Sequence, residues 1–279
     1  MIGRILAKRR SLLTSPQEHA PGAALATGPD LASPWRLRAL PVCASTESEL
    51  DRWLATCLPA DSGPLTTPLA LLARHQRFGH GQQGRIWLAP PGGVWLSAAL
   101  PWPQDPAEAA APGLAVAVGL ALQLEQLGLP VRLKWPNDLL LPGGDGQPAK
   151  LAGLLPRLRL RGDRIRWARL GVGLNGLNPV PAGACNLRRS LGPRGAEPLR
   201  LAARVLLALE WAMAWAGRPE PVRQLAEQRL HLGSAPLRLD GEDWRPVGLS
   251  RDGGLRLRCG TQERVLQRRF EVGGSGAAP

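Results

Sequence analysis

A glycine-rich loop at residues 76–87, QRFGHGQQGRIW, is the first pattern with residue types suited to chemistry. Gly79, Gly81 and Gly84 are interleaved there with polar residues, and Trp87 closes the run. Glycine adopts positive φ angles and lets main chain approach a ligand closely, and successive amide N–H groups in such a loop can bind an anion. Viewed alone, the loop fits a plain hairpin connection equally well.

A second cluster, KWPND at residues 134–138, places a cation, an aromatic ring, a proline, an amide and a carboxylate in succession. Pro136 removes a backbone donor and favours extended geometry at the residue before it, which predicts a fixed turn at the end of a strand. Asp138 could bind Mg²⁺ through one oxygen while water and phosphate supply the other ligands. A simple turn stabilised by Asn137 fits the same residues.

Two apolar strands carry small residues beside a single polar one. Lys150 begins KLAGLL, in which Gly153 stands where a strand normally has a side chain. A lone cation in an apolar strand usually extends its end to solvent, but the glycine would let a ligand lie against the strand. The segment GVGLN at 171–175 repeats the pattern and ends in Asn175, whose amide could bind a base edge or a carbonyl.

Ser45 and Thr46 lie at the start of a predicted helix. Thr46 and Glu49 have the spacing of a capping box, and the apolar residues that follow recur on one helical face (Leu50, Trp53, Leu54, Cys57 and Leu58). Hydroxyl groups and unpaired N–H groups converge at such a position and can contact a ligand. A simple N-cap accounts for the same two residues.

The elements that must position these residues are mixed strands and helices, which predicts an α+β fold. Further predicted elements are strands at about 35–42, 65–74, 92–102, 149–162 and 164–175, helices at about 113–127, 198–216 and 220–232, and a loop at 179–194. Asp–Gly and Asp–Gly–Gly turns then separate short alternating runs, which is typical of a small SH3-like β-barrel. The domains expected are a poorly ordered basic tail (1–34), a large α+β domain (35–231), the barrel (232–272) and a flexible tail (273–279).

Composition narrows the class of protein. The chain has 279 residues and a formal charge of +13, which suits a polyanionic partner. All but three of its 35 basic residues are arginine, so Lys134 and Lys150 mark positions where arginine would not serve.

The four cysteines form no C-x-x-C pair, which favours a reducing cytosol over a disulfide framework or zinc site. No apolar run is long enough to cross a membrane, and an organellar address in residues 1–34 is the alternative to a cytoplasmic location.

Together these segments resemble biotin–protein ligase, in the order expected for that family. They are STE at 45–47, QRFGHGQQGRIW at 76–87, KWPND at 134–138, KLAGLL at 150–155 and GVGLN at 171–175. The resemblance implies a catalytic domain like those of class II aminoacyl-tRNA synthetases and biotin ligases, with a mixed sheet flanked by helices and the small barrel. We expect the monofunctional type without an N-terminal DNA-binding domain, since residues 1–34 do not supply about three helices.

The resemblance also implies an activity. Such an enzyme joins biotin to ATP with Mg²⁺, holds biotinyl-5′-AMP and transfers the biotinyl group to a lysine of a biotin carboxyl carrier domain, usually of acetyl-CoA carboxylase. A monomer or weak homodimer is expected. The implied biotin contacts are Ser45, Thr46, Glu47, Gln76, Gly79, His80, Gly81, Gln82, Trp87, Lys150 and Gly153. The implied nucleotide contacts are Gln82, Arg85, Trp87, Lys134, Asn137 and Asn175. The implied catalytic residues are Lys150, Arg85 and Lys134, and Asp138 is the implied metal ligand.

The loop departs from the family's usual GRGRRGRxW pattern. His80, Gln82 and Gln83 replace three arginines, and only Arg85 remains. In the family, the arginine matching Gln82 helps retain the acyl-adenylate, so the hypothesis here is looser retention of biotinyl-AMP. Another arginine of the chain could replace it from elsewhere.

Three alternatives stay open on the sequence. Lipoate or octanoate attachment belongs to a related fold, although KWPND together with KLAGLL argues against it. The charge could instead serve nucleic-acid binding, but the arginines are dispersed and no aromatic–basic RNA motif is present. The altered loop also permits a protein that binds biotin without turning it over.

Overall fold

A mixed eight-stranded sheet forms the centre of the computed structural model, which describes residues 1–14, 35–58, 62–143, 146–233 and 235–267. Its strands are β1 (Arg36–Cys43), β2 (Leu69–His80), β3 (Ile86–Ala89), β4 (Val94–Leu100), β5 (Arg132–Lys134), β6 (Asp138–Pro142), β7 (Pro148–Arg161) and β8 (Arg164–Leu174). The order is β1-β2-β4-β8-β7-β6-β5, and β3 also pairs with β2. Only β1 and β2 run parallel; the other pairs are antiparallel.

Helices cover the sheet. They are α1 (Ile2–Thr14), α2 (Thr46–Cys57), α3 (Pro112–Glu125), α4 (Arg188–Gly195), α5 (Pro198–Trp215) and α6 (Pro219–Glu227). Nearly every residue of α3 is buried, which its small and aliphatic composition allows. Gly119 lets α3 approach α5 closely, because a Cβ there would lie 2.5 Å from the carbonyl oxygen of Ala208. A separate cluster packs α2 on the sheet through Leu50, Trp53 and Leu54.

The C-terminal part forms a small four-stranded antiparallel sheet in the region where the turn signals predicted an SH3-like β-barrel. Its strands are β9 (Leu237–Leu239), β10 (Glu242–Leu249), β11 (Leu255–Cys259) and β12 (Gln262–Leu266), in the order β12-β11-β10-β9. Asp240 and Gly241 have φ angles of 52° and 86° in the first hairpin, which suits a tight turn with both central residues at positive φ. Glu227 of α6 accepts a 2.7 Å hydrogen bond from the amide of Leu249 and so attaches this sheet to the larger domain.

The prediction of a poorly ordered tail is wrong for Ile2–Thr14, which form α1. Ile5 is buried against the core, and Arg9 makes a 2.6 Å ion pair with buried Glu210 of α5. The stabilising partner lies 201 residues away, and such a distant contact leaves no local signal in the sequence. Residues 15–34 and the predicted flexible tail 273–279 lie outside the described residues.

Three local expectations also differ from the structure. Ser45, not Thr46, caps α2, since its Oγ accepts a 3.2 Å hydrogen bond from the amide of Glu47. Much of the segment 76–87 continues β2 and β3, which leaves only a short turn as a loop. The predicted loop at 179–194 contains α4. The expected turn in KWPND is present, with a cis peptide bond between Trp135 and Pro136.

Candidate active site

A cavity of about 320 Å³ lies where the N-terminus of α2 meets β2, β3 and the strands β6 to β8. It collects segments that are far apart in the chain. Fourteen of the predicted site residues line it, namely Ser45, Thr46, Glu47, Gln76, His80, Gly81, Gln82, Arg85, Trp87, Asn137, Asp138, Lys150, Gly153 and Asn175. Most of the predicted site residues therefore lie at one cavity.

Two predicted site residues do not line the cavity. Lys134 has an exposed side chain at the end of β5. Gly79 lies at the β2–β3 pairing, where a Cβ would be 2.5 Å from the carbonyl oxygen of Trp87. Glycine at this position therefore permits close strand pairing, which is a structural reason for a residue that the loop pattern assigned to biotin.

A buried hydrogen-bond network fixes one end of the cavity. The amide and Oγ1 of Thr46 both donate to Oε1 of Gln76, at 2.7 and 2.9 Å. Oγ of Ser97 lies 2.8 Å from Oγ1 of Thr46. The network holds the Gln76 amide in one orientation and presents polar groups to a bound molecule. Ser97 was not predicted, although a lone hydroxyl in the apolar strand VWLSAAL could have revealed it.

The indole of Trp87 occupies the space that small residues leave on the sheet. A Cβ at Gly153 or Gly173 would lie 2.9 or 2.6 Å from the Trp87 ring. These glycines were expected to make room for a ligand; in the structure they make room for a side chain that itself lines the cavity. Trp87 also packs edge-to-face against Trp95, with 6.4 Å between ring centroids.

Lys150 and Asp138 form an ion pair at the cavity wall. Nζ of Lys150 lies 2.7 Å from Oδ1 of Asp138 and 5.1 Å from the centre of a Trp87 ring. The pairing of β6 with β7 brings the two residues together, because Asp138 faces Gly153 and Leu140 faces Lys150 across the strands. A cation and a carboxylate therefore share one edge of the cavity.

Asp138 fits Mg²⁺ only as one ligand among several, with the remaining ligands supplied by a bound substrate and water. Within the described ranges, no group of three or more His, Cys, Asp or Glu side chains could hold a metal ion. A single carboxylate is sufficient for Mg²⁺ when substrate phosphates and water complete its coordination. Asp138 can therefore hold the ion together with a nucleotide but does not form a complete protein site.

The two asparagines of the site make hydrogen bonds with the protein itself. Nδ2 of Asn137 donates to the carbonyl oxygen of Leu154 at 2.5 Å. Nδ2 of Asn175 donates to the carbonyl oxygen of Cys185 at 3.1 Å, and Oδ1 accepts from Asn178 at 3.0 Å. These bonds order the cavity wall, and Asn178 is a buried participant that the sequence did not reveal.

The loop over the cavity is a short turn. Gln82–Gly84 form one 3-10 turn, with φ angles of 55° at Gln83 and 71° at Gly84. The amide of Gly81 donates to the carbonyl oxygen of Arg85 at 2.7 Å and closes the turn. His80, Gly81, Gln82 and Arg85 line the cavity, whereas Gln83 does not.

The environments of Cys43 and Cys185, near the cavity, argue against a nucleophilic role for either thiol. Burial, reinforced by the charge of Glu49, raises the pKa of the Cys43 thiol to about 11. Burial also raises the pKa of the Cys185 thiol. Both groups stay protonated at neutral pH, and a protonated thiol is a poor nucleophile. The chemistry of the cavity therefore depends on its cations, carboxylates and amides.

Comparisons with known proteins show that the fold and its cavity belong to a class of protein ligases. The model of the biotin/lipoate A/B protein ligase family matches residues 57–175. The biotin–[acetyl-CoA-carboxylase] ligase of Mycobacterium tuberculosis is 32% identical over 232 residues, which cover 77% of this chain and 80% of that protein. This chain belongs to the biotin–protein ligase family, as the five sequence segments predicted.

Two further comparisons set the extent of the similarity. The bifunctional ligase/repressor BirA of Escherichia coli is 37% identical over 117 residues, which are 40% of this chain and only 34% of that protein. A solved biotin protein ligase from Aquifex aeolicus, in complex with biotin and ATP, superimposes with a TM-score of 0.59 at 23% identity. The superposition covers 83% of this chain and 95% of that one, which confirms the predicted fold class.

Proposed function

We propose that this protein activates biotin with ATP as biotinyl-5′-AMP and transfers the biotinyl group to a lysine of a biotin carboxyl carrier domain, such as that of acetyl-CoA carboxylase. One observation carries the proposal. The Thr46–Gln76 network and the Lys150–Asp138 pair lie at one cavity, although the chain separates them by up to about a hundred residues. A polar head group and a reacting carboxylate can therefore be bound in the same place.

Each wall of the cavity suits one part of the substrates. Ser45, Thr46 and Gln76 provide hydrogen-bonding groups for a polar head, and Trp87 with Leu155 provides an apolar surface for the alkyl chain. Lys150 provides a cation where the carboxylate of biotin and the α-phosphate of ATP must meet. Stabilisation of the charge that develops there is commonly a large contribution to catalysis.

The reaction has two balanced steps. A carboxylate oxygen of biotin bonds to the α-phosphorus of ATP, the bond to the bridging oxygen breaks, and pyrophosphate leaves. The amine of the carrier lysine then bonds to the activated carbonyl carbon, AMP leaves, and the amine loses a proton. The protein's main contribution to the second step is to position the incoming amine.

Other groups are assigned to the nucleotide. Arg85 and Gln82 at the turn, with Asn137 just before β6 and Asn175 just after β8, are nucleotide contacts in this proposal. Asp138 would hold Mg²⁺, which would neutralise phosphate charge. Lys134 lies outside the cavity, so its contact with nucleotide requires the phosphates to extend beyond the cavity edge.

The carrier domain, a cytoplasmic location and a monomer or weak homodimer complete the proposal. No helix in the described ranges has the length and apolar character needed to cross a bilayer.

Lipoate attachment is the second candidate, since the matching family model includes lipoate ligases. The hydrogen-bonding groups of Thr46, Gln76 and Ser97 favour biotin, because its polar head can form hydrogen bonds with them and a dithiolane or alkyl head cannot.

Pyrophosphate release tests the proposal. The wild type should release pyrophosphate from ATP with biotin and not with lipoate. Lys150→Met should lower kcat by about 100-fold or more, the size of effect seen when one transition-state donor is removed. Lys8→Met is the matched control, because Lys8 lies on α1 outside the cavity and should leave kcat unchanged. Release with lipoate and not with biotin would overturn the proposed substrate.

A further inference from the structure

We infer that the protein has a second ligand site, which binds a small molecule with an apolar body and one anionic group and is coupled to the active site. The site is a cavity of about 710 Å³ between α1, β2, the start of β4 and the start of α5. We call it the α1 cavity. Its walls include Arg4, Ile5, Leu72, Arg74, Val94 and Leu199.

The α1 cavity is separate from the active-site cavity. None of the described residues that line it also lines the active-site cavity, and the proposed function uses none of them. Its volume lies within the range of about 300–1,000 Å³ that is usual for small-molecule sites. The α1 cavity therefore has room for a ligand other than biotin or ATP.

The inner wall of the α1 cavity is apolar. Ile5 of α1, Leu72 of β2 and Val94 of β4 belong to the main hydrophobic core and reach this wall. Leu199 of α5 packs against the same core and lines the cavity beside them. Core side chains are closely packed and hold their positions, so this wall offers a fixed apolar surface for a ring or a branched chain.

The charged side chains of the α1 cavity specify the charge of the ligand. Arg4 and Arg74 are exposed, and neither makes an ion pair or a side-chain hydrogen bond with any described residue. Glu197 is the one acidic residue among the described residues that line the cavity. Two guanidinium groups and one carboxylate leave one positive side-chain charge in excess. This excess suits a monoanion better than a nucleoside triphosphate.

Guanidinium groups favour a particular kind of anion. Arginine presents a planar fork of N–H donors that matches a carboxylate, and hydrogen bonds between charged groups are about twice as strong as those between neutral ones. A molecule with an apolar body and one carboxylate can place the body on the inner wall and the charge beside Arg4 or Arg74. The ligand class is therefore a small aromatic or branched carboxylic acid.

The connection from β3 to β4 joins the α1 cavity to the active site. Trp95 contributes to the α1 cavity and packs edge-to-face against Trp87, which lines the active-site cavity. The carbonyl oxygen of Gly92 accepts a 2.7 Å hydrogen bond from the amide of Leu177. A Cβ at Gly92 would lie 2.7 Å from the amide nitrogen of Asn178, another lining residue of the active-site cavity. A ligand that restricts this connection should therefore pre-organise the active-site wall and strengthen biotin binding.

Isothermal titration calorimetry with naphthoate tests the second site. Naphthamide is the matched ligand, because it has the same ring without the charge. The wild type should bind naphthoate at least about tenfold more tightly than naphthamide, the difference expected for a hydrogen bond between charged groups. Equal affinities for the two ligands would overturn the inference.

Variants locate the bound naphthoate. Arg4→Met/Arg74→Met should lose the preference for naphthoate over naphthamide. Arg77→Met/Arg132→Met removes the same charge from two exposed strand residues outside the α1 cavity and should bind like wild type. Thermal melting of both double variants checks that they fold. Lys150→Met should also bind naphthoate like wild type, because Lys150 lines only the active-site cavity.

Two results with these variants would contradict the inference. Binding that is lost in Lys150→Met and kept in Arg4→Met/Arg74→Met would place naphthoate in the active site. Sedimentation of the wild type as a dimer, and of Arg4→Met/Arg74→Met as a monomer, would assign the α1 cavity to a second copy of the chain. Either result would overturn the second ligand site.

The coupling is measured by the Kd of naphthoate with and without saturating biotin. Coupling between binding sites is reciprocal and typically amounts to about 5- to 150-fold, so biotin should lower this Kd by at least about fivefold. An unchanged or higher Kd would overturn the coupling. A protein that binds no biotin but keeps its charge-dependent binding of naphthoate would contradict the proposed function and the coupling, and would still support the second site.

Discussion

The indole nitrogen of Trp135 donates a 2.9 Å hydrogen bond to the carbonyl oxygen of Gly253. Trp135 belongs to the Lys134–Asp138 turn beside the cavity, and Gly253 lies in the β10–β11 turn of the C-terminal sheet. The bond therefore joins the site to a part of the chain that contributes no residue to the cavity. It gives the small sheet a direct connection to the position of Asp138.

Trp135→Phe tests this connection. Loss of the hydrogen bond should reduce the free energy of unfolding by about 1 kcal/mol and increase hydrogen exchange in residues 237–266. Trp53→Phe is the matched control, because the buried Trp53 indole nitrogen has no hydrogen-bond partner among the described residues. Equal exchange of the C-terminal sheet in both variants would contradict the assigned connection.

Arg9→Met should destabilise the protein through the buried ion pair between α1 and α5. Glu210 accepts hydrogen bonds from Arg9 and from Trp35 and has a side chain that is 2% exposed. Removal of one partner of a buried pair costs about 3–5 kcal/mol. Urea unfolding at neutral pH measures the loss. The double variant Arg9→Met/Glu210→Leu should recover much of it, and a double variant as unstable as the single one would contradict the explanation.

The same pair predicts a pH dependence. Burial raises the pKa of Glu210 above its ordinary value of 4.5, against the lowering effect of Arg9 and Trp35. Between these two pKa values the folded state binds more protons than the unfolded state. The contribution of Glu210 to the free energy of unfolding is therefore most favourable below its pKa in the unfolded state, and it is lost as pH rises through its pKa in the folded state. Arg9 lowers the pKa of Glu210, so Arg9→Met should raise that pKa further. The loss in free energy of unfolding relative to wild type should therefore be smaller near pH 4.5 than at neutral pH. Urea unfolding curves of both proteins across this pH range measure the difference. A loss in free energy of unfolding that does not change with pH would contradict the prediction.

Gly173→Ala should displace Trp87 from the sheet. The new Cβ would lie 2.6 Å from the indole ring, and overpacking of this kind costs about 1–3 kcal/mol. If the ring moves into the cavity, KM for biotin should rise by about tenfold or more, since 1.4 kcal/mol corresponds to tenfold. Gly217→Ala is the control, because a Cβ there has nothing within 4 Å. Equal KM values in both variants would show that the ring position does not matter for binding.

Gln82→Arg tests the hypothesis of loose intermediate retention. An arginine on the turn would add a charge-assisted hydrogen bond to the phosphate, about twice as strong as a neutral one. Wild-type protein with biotin and ATP should label a bystander protein more than Gln82→Arg does. Gln83→Arg carries the same charge one residue away, outside the cavity lining, and should behave like wild type. Equal labelling by all three proteins would refute the hypothesis.

The sequence was sufficient for the features that depend on local pattern. The strands and helices that bear the site have short-range periodicity, and the Asp240–Gly241 turn is recognisable from residue type alone. KWPND formed the expected turn because proline restricts its own backbone and that of its neighbour. The position of Lys150 opposite Asp138 follows only from strand pairing, so the resemblance to a family was needed to place them in one site.

The features that were missed depend on contacts between distant segments. Arg169 looked like one more arginine of an alternating strand, and its contacts with Glu47 and Asp51 exist only after α2 packs on β8. Gly173 was read as space for a ligand, because nothing in its neighbourhood indicates that Trp87 fills that space. The helix α1 was missed for the same reason, since its buried partner lies on α5.

The most direct measurement of the central claim is the mass of a biotin carrier domain after incubation with this protein, biotin, Mg²⁺ and ATP. The account predicts an increase by one biotinyl group on one lysine, dependent on ATP and abolished or greatly slowed by Lys150→Met. An unmodified carrier, with no pyrophosphate released from biotin and ATP, would contradict it.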